Sequence, residues 1–213
     1  MAEQFDGICN VYCIGRNYHL HALELGNEVP EEPMVFLKPA HAIVPMDGRE
    51  IVLPGGRGAV HFEVEIVLRI GRSYEPGMDA DGCVDAMAIG LDLTLRDVQD
   101  VLKRKGMPWL DAKGFRGSAP LGGWLEYPGA AMLASRSFEL LRGGERAQIG
   151  SAGDMLFQVP QLIEFVGSRY GLGPGDLIFT GTPAGVGALQ DGDELVCLWD
   201  GAAVGSCRVK LIG

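Results

Sequence analysis

Residues 60–70 read VHFEVEIVLRI, a run with the composition of a buried β-strand into which two glutamates are set. Val60, Phe62, Val64 and Ile66 alternate with His61, Glu63 and Glu65, so a period of two places the three polar side chains on one face. At the rise of a strand the Cβ atoms of the two glutamates stand roughly 6–7 Å apart. Carboxylates that close repel each other unless something positive lies between them. A solvated edge strand is the simplest alternative. Against it, the following IVLRI is nearly all apolar and runs into the core, and a third acid, Asp92, sits in the apolar stretch GLDLTLRD. Three carboxylates without a thiolate suit a hard cation such as Mg²⁺, Mn²⁺ or Ca²⁺ better than zinc. Glu63, Glu65 and Asp92 are the candidate metal ligands, although the pattern leaves open a turn-forming role for Asp92.

The 213 residues, 47% apolar and 22% charged, suffice for one well-cored domain, expected to span 1–213 with 1–8 as a short lead-in. Eighteen basic against 28 acidic residues give a net charge of -10, which argues against nucleic acid or an anionic membrane as partner. The start MAEQFDGICNVYCIG has no basic segment followed by a long apolar run, and no stretch has the length of a membrane span, so a cytoplasmic location is expected. Cys9, Cys13, Cys83, Cys197 and Cys207 are odd in number and scattered, which points to free and mostly buried thiols.

Short β-rich runs bounded by Gly, Pro and Asp occur at 51–55, 60–71, 176–182, 193–201 and 206–212. Helical patterns are fewer: NYHLHALELG from Asn17 with Gly26 as its stop, LRDVQDVLKRKG from Leu95 with Gly106 as its stop, and MLFQVPQLIEFVGSRYG with Pro160 in its first turn. Strands and helices do not alternate as βαβ units require, so the expected class is α+β, β-rich, built on a β-sandwich or roll.

On the first helix His21 and Glu24 lie three apart, where the carboxylate can meet the ring and raise its pKa. Such a histidine can take a proton from water, although an exposed pair of no consequence has the same spacing. Arg16, Lys38, Arg96 and Lys113 fall near turns or element ends of an otherwise acidic chain. Gathered round the metal ligands, they would bind a carboxylate-bearing substrate. GTPAGVG (181–187) follows a strand but lacks the Lys-Ser/Thr of a P-loop, and no G-x-S-x-G occurs. The three tryptophans are read as core or rim.

The segments CIGRNYHLHALELG, PMVFLKP, HFEVEI, GLDLTLRDVQ, AKGF and GDLIFTGTPAGVG, in this order, resemble the fumarylacetoacetate hydrolase family over nearly the whole chain. The resemblance implies a mixed β-sandwich roll with a few short helices, a homodimer, and Mg²⁺ or Mn²⁺ on Glu63, Glu65 and Asp92. It also implies a water-activating dyad of His21 and Glu24 on a lid, charge stabilisation by Lys113, and a substrate pocket lined by Arg16, Lys38, Arg96, Gln99 and Thr182. His61 matches the first residue of the family's HxExE but is not read as a ligand. The activity expected first is hydrolysis of the C–C bond of acylpyruvates, 2,4-dioxo acids, to pyruvate and a carboxylic acid through an enolate. Decarboxylation or keto–enol tautomerisation of oxaloacetate is the alternative, and non-catalytic binding of a small acid the remote one.

Overall fold

The structure, a computed structural model, describes residues 5–24 and 29–213. Its strands are β1 (Val11–Gly15), β2 (Met34–Lys38), β3 (Ile43–Pro45), β4 (Asp47–Pro54), β5 (Val60–Phe62), β6 (Val64–Ile70), β7 (Val84–Leu91), β8 (Thr94–Leu95), β9 (Ala119–Leu121), β10 (Ser137–Arg142), β11 (Glu145–Ser151), β12 (Leu177–Phe179), β13 (Gly187–Ala188), β14 (Glu194–Trp199) and β15 (Ala202–Ile212). Five short helices join them: α1 (His19–Glu24), α2 (Arg96–Lys105), α3 (Leu110–Lys113), α4 (Ala130–Leu133) and α5 (Val159–Tyr170). Among the described residues the strands form a seven-stranded sheet in the order β2-β1-β12-β6-β7-β9-β3, a five-stranded sheet β11-β10-β14-β15-β4 and a three-stranded sheet β13-β5-β8. The pairs β1–β12, β3–β9 and β4–β15 are parallel and the rest antiparallel, so the β-rich α+β roll is mixed, as expected.

The decisive strand lies at the centre of the largest sheet. Ile66, Leu68 and Ile70 of β6 join one core cluster with Leu53, Phe138, Leu140 and Val209 of the five-stranded sheet and with Leu162, Ile163 and Val166 of α5. Val67 points the other way, into a second cluster with Val11, Cys13, Ala88 and Phe179. Burial on both faces is why IVLRI lacks polar alternation. The run 60–70 is not one strand, however. It breaks at Glu63, with β5 in the three-stranded sheet and β6 in the seven-stranded one. A simple period of two therefore does not run through the two glutamates.

Gly106 ends α2 at φ 61°, the left-handed conformation that glycine adopts without a Cβ penalty. Pro160 sits in the first turn of α5, whose Gln158 and Gln161 cap each other's backbone. The first helix starts at His19, two residues later than the pattern indicated, and its expected stop, Gly26, lies outside the described residues. Cys13, Cys83, Cys197 and Cys207 are buried free thiols and Cys9 is exposed. Among the described residues no helix is long and apolar enough to cross a membrane.

Gly122 marks the closest approach of the two large sheets. Its N–H donates to the Ile89 carbonyl at 2.9 Å, and that of Gly123 to the Val204 carbonyl at 3.0 Å. A Cβ on Gly122 would stand 2.8 Å from the Val204 oxygen and 2.9 Å from that of Ile89, both backbone atoms. Gly122→Ala is expected to cost about 1–3 kcal/mol by overpacking. A lower urea midpoint at unchanged slope is the readout.

Candidate active site

Two chain crossovers build the site. At Glu63 the chain passes from β5 to β6, and at Asp92–Leu93 it passes back from β7 to β8. Within each sheet these strands are antiparallel neighbours, Val64 opposite Leu91 and Val60 opposite Leu95. Between the sheets the two crossings are joined by a hydrogen bond from Asp92 N–H to the Glu63 carbonyl at 2.8 Å. Glu63, Glu65 and Asp92 are buried, and each brings one carboxylate oxygen within 4.8 Å of the others. This separation lets three oxygens share one hard cation.

Basic groups surround these acids in two layers. Lys113, the last residue of α3, donates to Glu63 Oε2 at 2.8 Å and to Asp92 Oδ2 at 2.6 Å. Arg96, the first residue of α2, donates through Nη2 to Glu63 Oε1 and through Nη1 to Gln99 Oε1, the latter at 2.7 Å. Lys38, at the end of β2, stands behind. Its Nζ lies 2.8 Å from Asp92 Oδ1 and donates to the carbonyls of Leu93, Lys113 and Ser118 and to the Ser118 hydroxyl. It does not line the cavity; the structure makes it a brace for Asp92 rather than a wall of the expected substrate pocket. With the lysine's protons directed at carbonyls, Asp92 Oδ1 makes no directed hydrogen bond.

The charges respond accordingly. Burial alone would raise the Glu63 carboxyl, but Lys113, Arg96 and His21 outweigh it and hold it well below the usual range. Burial, Asp92 and Glu63 push Glu65 well above its ordinary value against the opposing Gly181 N–H, at 2.8 Å, and the charge of Lys113. Burial would lower Lys113, yet Asp92 and Glu63 keep it raised and charged. Three carboxylate oxygens within 4.8 Å of one another and an under-compensated Glu65 are what a divalent cation would satisfy, so the donor set fits Mg²⁺ or Mn²⁺.

Beside the acids lies a cavity whose walls include Arg16, His21, Arg96, Gln99, Lys113 and Thr182. Arg16 has φ 58°, an uncommon left-handed backbone for a non-glycine residue, at the turn that leaves β1. His21 is buried, with Nδ1 3.5 Å from Glu24 Oε2. Sequence spacing led us to expect a raised imidazole; instead its pKa is lowered, because burial outweighs the glutamates. The histidine is thus neutral near pH 7, as a proton acceptor must be. Glu24 also accepts from the Gly185 N–H at 3.1–3.2 Å. Two N–H groups of the 181–187 loop, those of Gly181 and Gly185, are thus directed at the protein's own carboxylates.

Several residues here carried no signal that the sequence reading used. Met34, Phe36, Lys103 and Trp109 line the cavity. Asn17 is fully buried and joins the start of α1 to the Thr180 carbonyl at 2.8 Å and to Phe157. Gln148 of β11 accepts from Val64 N–H and donates to Thr182 Oγ1, both at 2.9 Å. Only Lys103 was within reach of the sequence, being four residues beyond Gln99 on the same helical face.

Three buried carboxylates able to share a hard cation, walled by basic side chains on a mixed β-roll, make up the candidate site. The profile of the fumarylacetoacetate (FAA) hydrolase C-terminal family matches residues 10–211. The chain belongs to this family. It is 38% identical to oxaloacetate tautomerase YcgM of Escherichia coli K12 over 199 residues, 91% of this chain and 90% of that protein. The rat mitochondrial oxaloacetate tautomerase FAHD1 is 39% identical over 204 residues, 95% of this chain and 91% of that one. A crystal structure of fumarylpyruvate hydrolase from Pseudomonas aeruginosa, in complex with Mn²⁺ and pyruvate, superposes with a TM-score of 0.88 at 35% identity, covering 96% and 91% of the two chains.

Removing the Lys38 ammonium leaves Asp92 Oδ1 buried without its ion pair, with Lys113 bonded only to Oδ2. Lys38→Met is expected to destabilise the fold by about 3–5 kcal/mol, read as a drop in urea midpoint. A second expectation concerns the ion. Calorimetric titration with Mn²⁺ should give one site per chain, and Glu65→Gln should weaken it at least about tenfold.

Proposed function

We propose that this chain catalyses keto–enol exchange of oxaloacetate with a divalent cation held by Glu63, Glu65 and Asp92. The observation that carries this reading is the meeting of three buried carboxylates and a surplus of basic side chains in one small cavity. Lys38, Lys113 and Arg96, which pair with Glu63 and Asp92 but not with Glu65, equal the three acids in number, so a divalent ion leaves an excess of positive charge suited to a dianion. Likeness over the whole chain to two oxaloacetate tautomerases supports that dianion over a neutral-ended dioxo acid, and moves tautomerisation ahead of the hydrolysis expected first.

The cation supplies a Lewis acid for the 2-oxo group. The remaining work falls to side chains. Neutral His21 takes the proton from C3 and delivers it to the 2-oxo oxygen to give the enol, and the reverse transfer restores the ketone, with Glu24 orienting the ring through Nδ1. Lys113 keeps its proton and faces the oxygen on which negative charge develops. Gln99 and Thr182 offer hydrogen bonds along the cavity wall, and Arg16 a charge at its rim.

Acylpyruvate hydrolysis is the second reading, favoured by the same His21–Glu24 pair and by the likeness to fumarylpyruvate hydrolase. There His21 deprotonates a water that attacks the distal carbonyl, and C–C cleavage releases pyruvate. Decarboxylation of oxaloacetate needs no such water.

The test compares loss of enol absorbance from oxaloacetate with pyruvate release from acetylpyruvate, before and after metal is stripped and restored. Exchange that outpaces both hydrolysis and CO₂ release, and that requires Mg²⁺ or Mn²⁺, is expected. Faster acetylpyruvate cleavage would reinstate the hydrolytic reading, and no turnover of either compound would sink both. His21→Ala should slow exchange by about 10²–10⁴. Since the active imidazole is neutral and its pKa is lowered, the rate should be level at pH 7 and fall only below the ordinary histidine value of about 6.5. This acid limb should be missing from the His21→Ala profile.

A further inference from the structure

We propose that Lys103, together with Arg16, holds the distal carboxylate of the substrate and so sets the preference for acid-terminated over neutral-ended 2-oxo acids. The assignment rests on the reading of the site as one for small 2-oxo acids.

The geometry begins with α2. Arg96, Gln99 and Lys103 are spaced three and four residues apart, which puts them in a row on one helix face. All three line the cavity. Arg96 is bonded to Glu63 at the acidic end, and Lys103 lies seven residues on, about 10 Å along the helix axis. A short dicarboxylate with its 2-oxo acid end at the carboxylate cluster therefore points its far end along this row, towards which the Lys103 side chain leans back, as helical side chains do.

The outer end of the row is shared between two hollows. Arg16, Lys103 and Trp109 line the inner cavity and also a shallower recess beyond it, to which Arg104 and Met107 contribute. Lys103 is half-buried with its ammonium 5.5 Å from the centre of the Trp109 ring. Neither Lys103 nor Arg16 forms an ion pair among the described residues. The other cavity cations differ: Arg96 is bonded to Glu63 and Gln99, and Lys113 to Glu63 and Asp92. Burial and the charges of Arg96, Arg16 and Lys113 lower the Lys103 pKa against the pull of Asp100, so an arriving anion relieves repulsion already present. The left-handed backbone of Arg16 belongs to the same picture, because uncommon backbone angles persist where the surrounding structure imposes them.

The experiment uses the Mn²⁺-loaded protein and two pairs of compounds: oxaloacetate with its 4-methyl ester for turnover, and 2-oxoglutarate with its 5-methyl ester for calorimetric binding. Each ester keeps the 2-oxo acid end and loses the far charge. The wild type should favour each acid over its ester by about tenfold or more, as a charge-assisted hydrogen bond implies. Lys103→Met should erase most of that ratio, through KM rather than kcat in turnover, while Lys103→Arg keeps it. A ratio near one in the wild type, an unchanged ratio in Lys103→Met, or no binding of either 2-oxoglutarate compound overturns the assignment. Turnover absent with the acid–ester binding difference intact would instead overturn the proposed reaction and leave the Lys103 assignment standing.

Discussion

The hydrogen bond from Asp92 N–H to the Glu63 carbonyl holds together the feature on which the site depends, two strands changing sheets at the same level. An unbroken β-sheet would send alternate side chains to opposite faces and keep neighbouring strands' acids in separate rows. By crossing between sheets side by side, the two chains turn their carboxylates towards a common point. The bond also satisfies backbone groups at a place where both ladders are interrupted, which a buried crossing requires. Apolar packing on both faces of β6 and β7 then fixes the crossing in the protein interior.

Three carboxylates in such a place are costly. Lys38 and Lys113 approach Asp92 from opposite oxygens, one from behind and one from the cavity side. The rear lysine is wholly enclosed and also ties together carbonyls of Leu93, Lys113 and Ser118, so it acts on the architecture. The front lysine touches two acids and faces the cavity, where it can act on a ligand. Residues of one chemical type thus divide between support and chemistry according to which side of the acids they occupy. A site assembled from buried ion pairs adds little net stability for its size, since the desolvation of each charge offsets most of the attraction.

Much of this was readable in the residue pattern. Glu63, Glu65 and Asp92 stood out because acids within apolar runs are rare, and the three are found together. The β-rich class, the C-terminal strands β12, β14 and β15 and the stop of α2 followed from glycine, proline and hydrophobic spacing, whereas β1, β2 and β7 were not read as strands. The break at Glu63 did not follow, because the polar and apolar letters go on alternating where the strand itself is interrupted, and only the partner strands reveal that the sheet has changed. The sign of the His21 shift was missed for a related reason: the nearby Glu24 is visible in the sequence, but the burial that outweighs it is tertiary. Lys38 looked like Arg16 or Arg96, a cation near an element end, and only its enclosure distinguishes it. Asn17 and Gln148 act across 140 and 84 residues of chain, respectively, a separation that no local spacing encodes. The hairpin of β10 and β11 went unread although Gly143 and Gly144, both with positive φ, occupy its turn.

The loop that follows β12 links two functions by length. Gly181 N–H reaches the carboxylate of Glu65, and Gly185 N–H, four peptide units on, reaches that of Glu24. The acid that belongs to the cation site and the acid that steadies the imidazole are therefore gauged from one short piece of backbone.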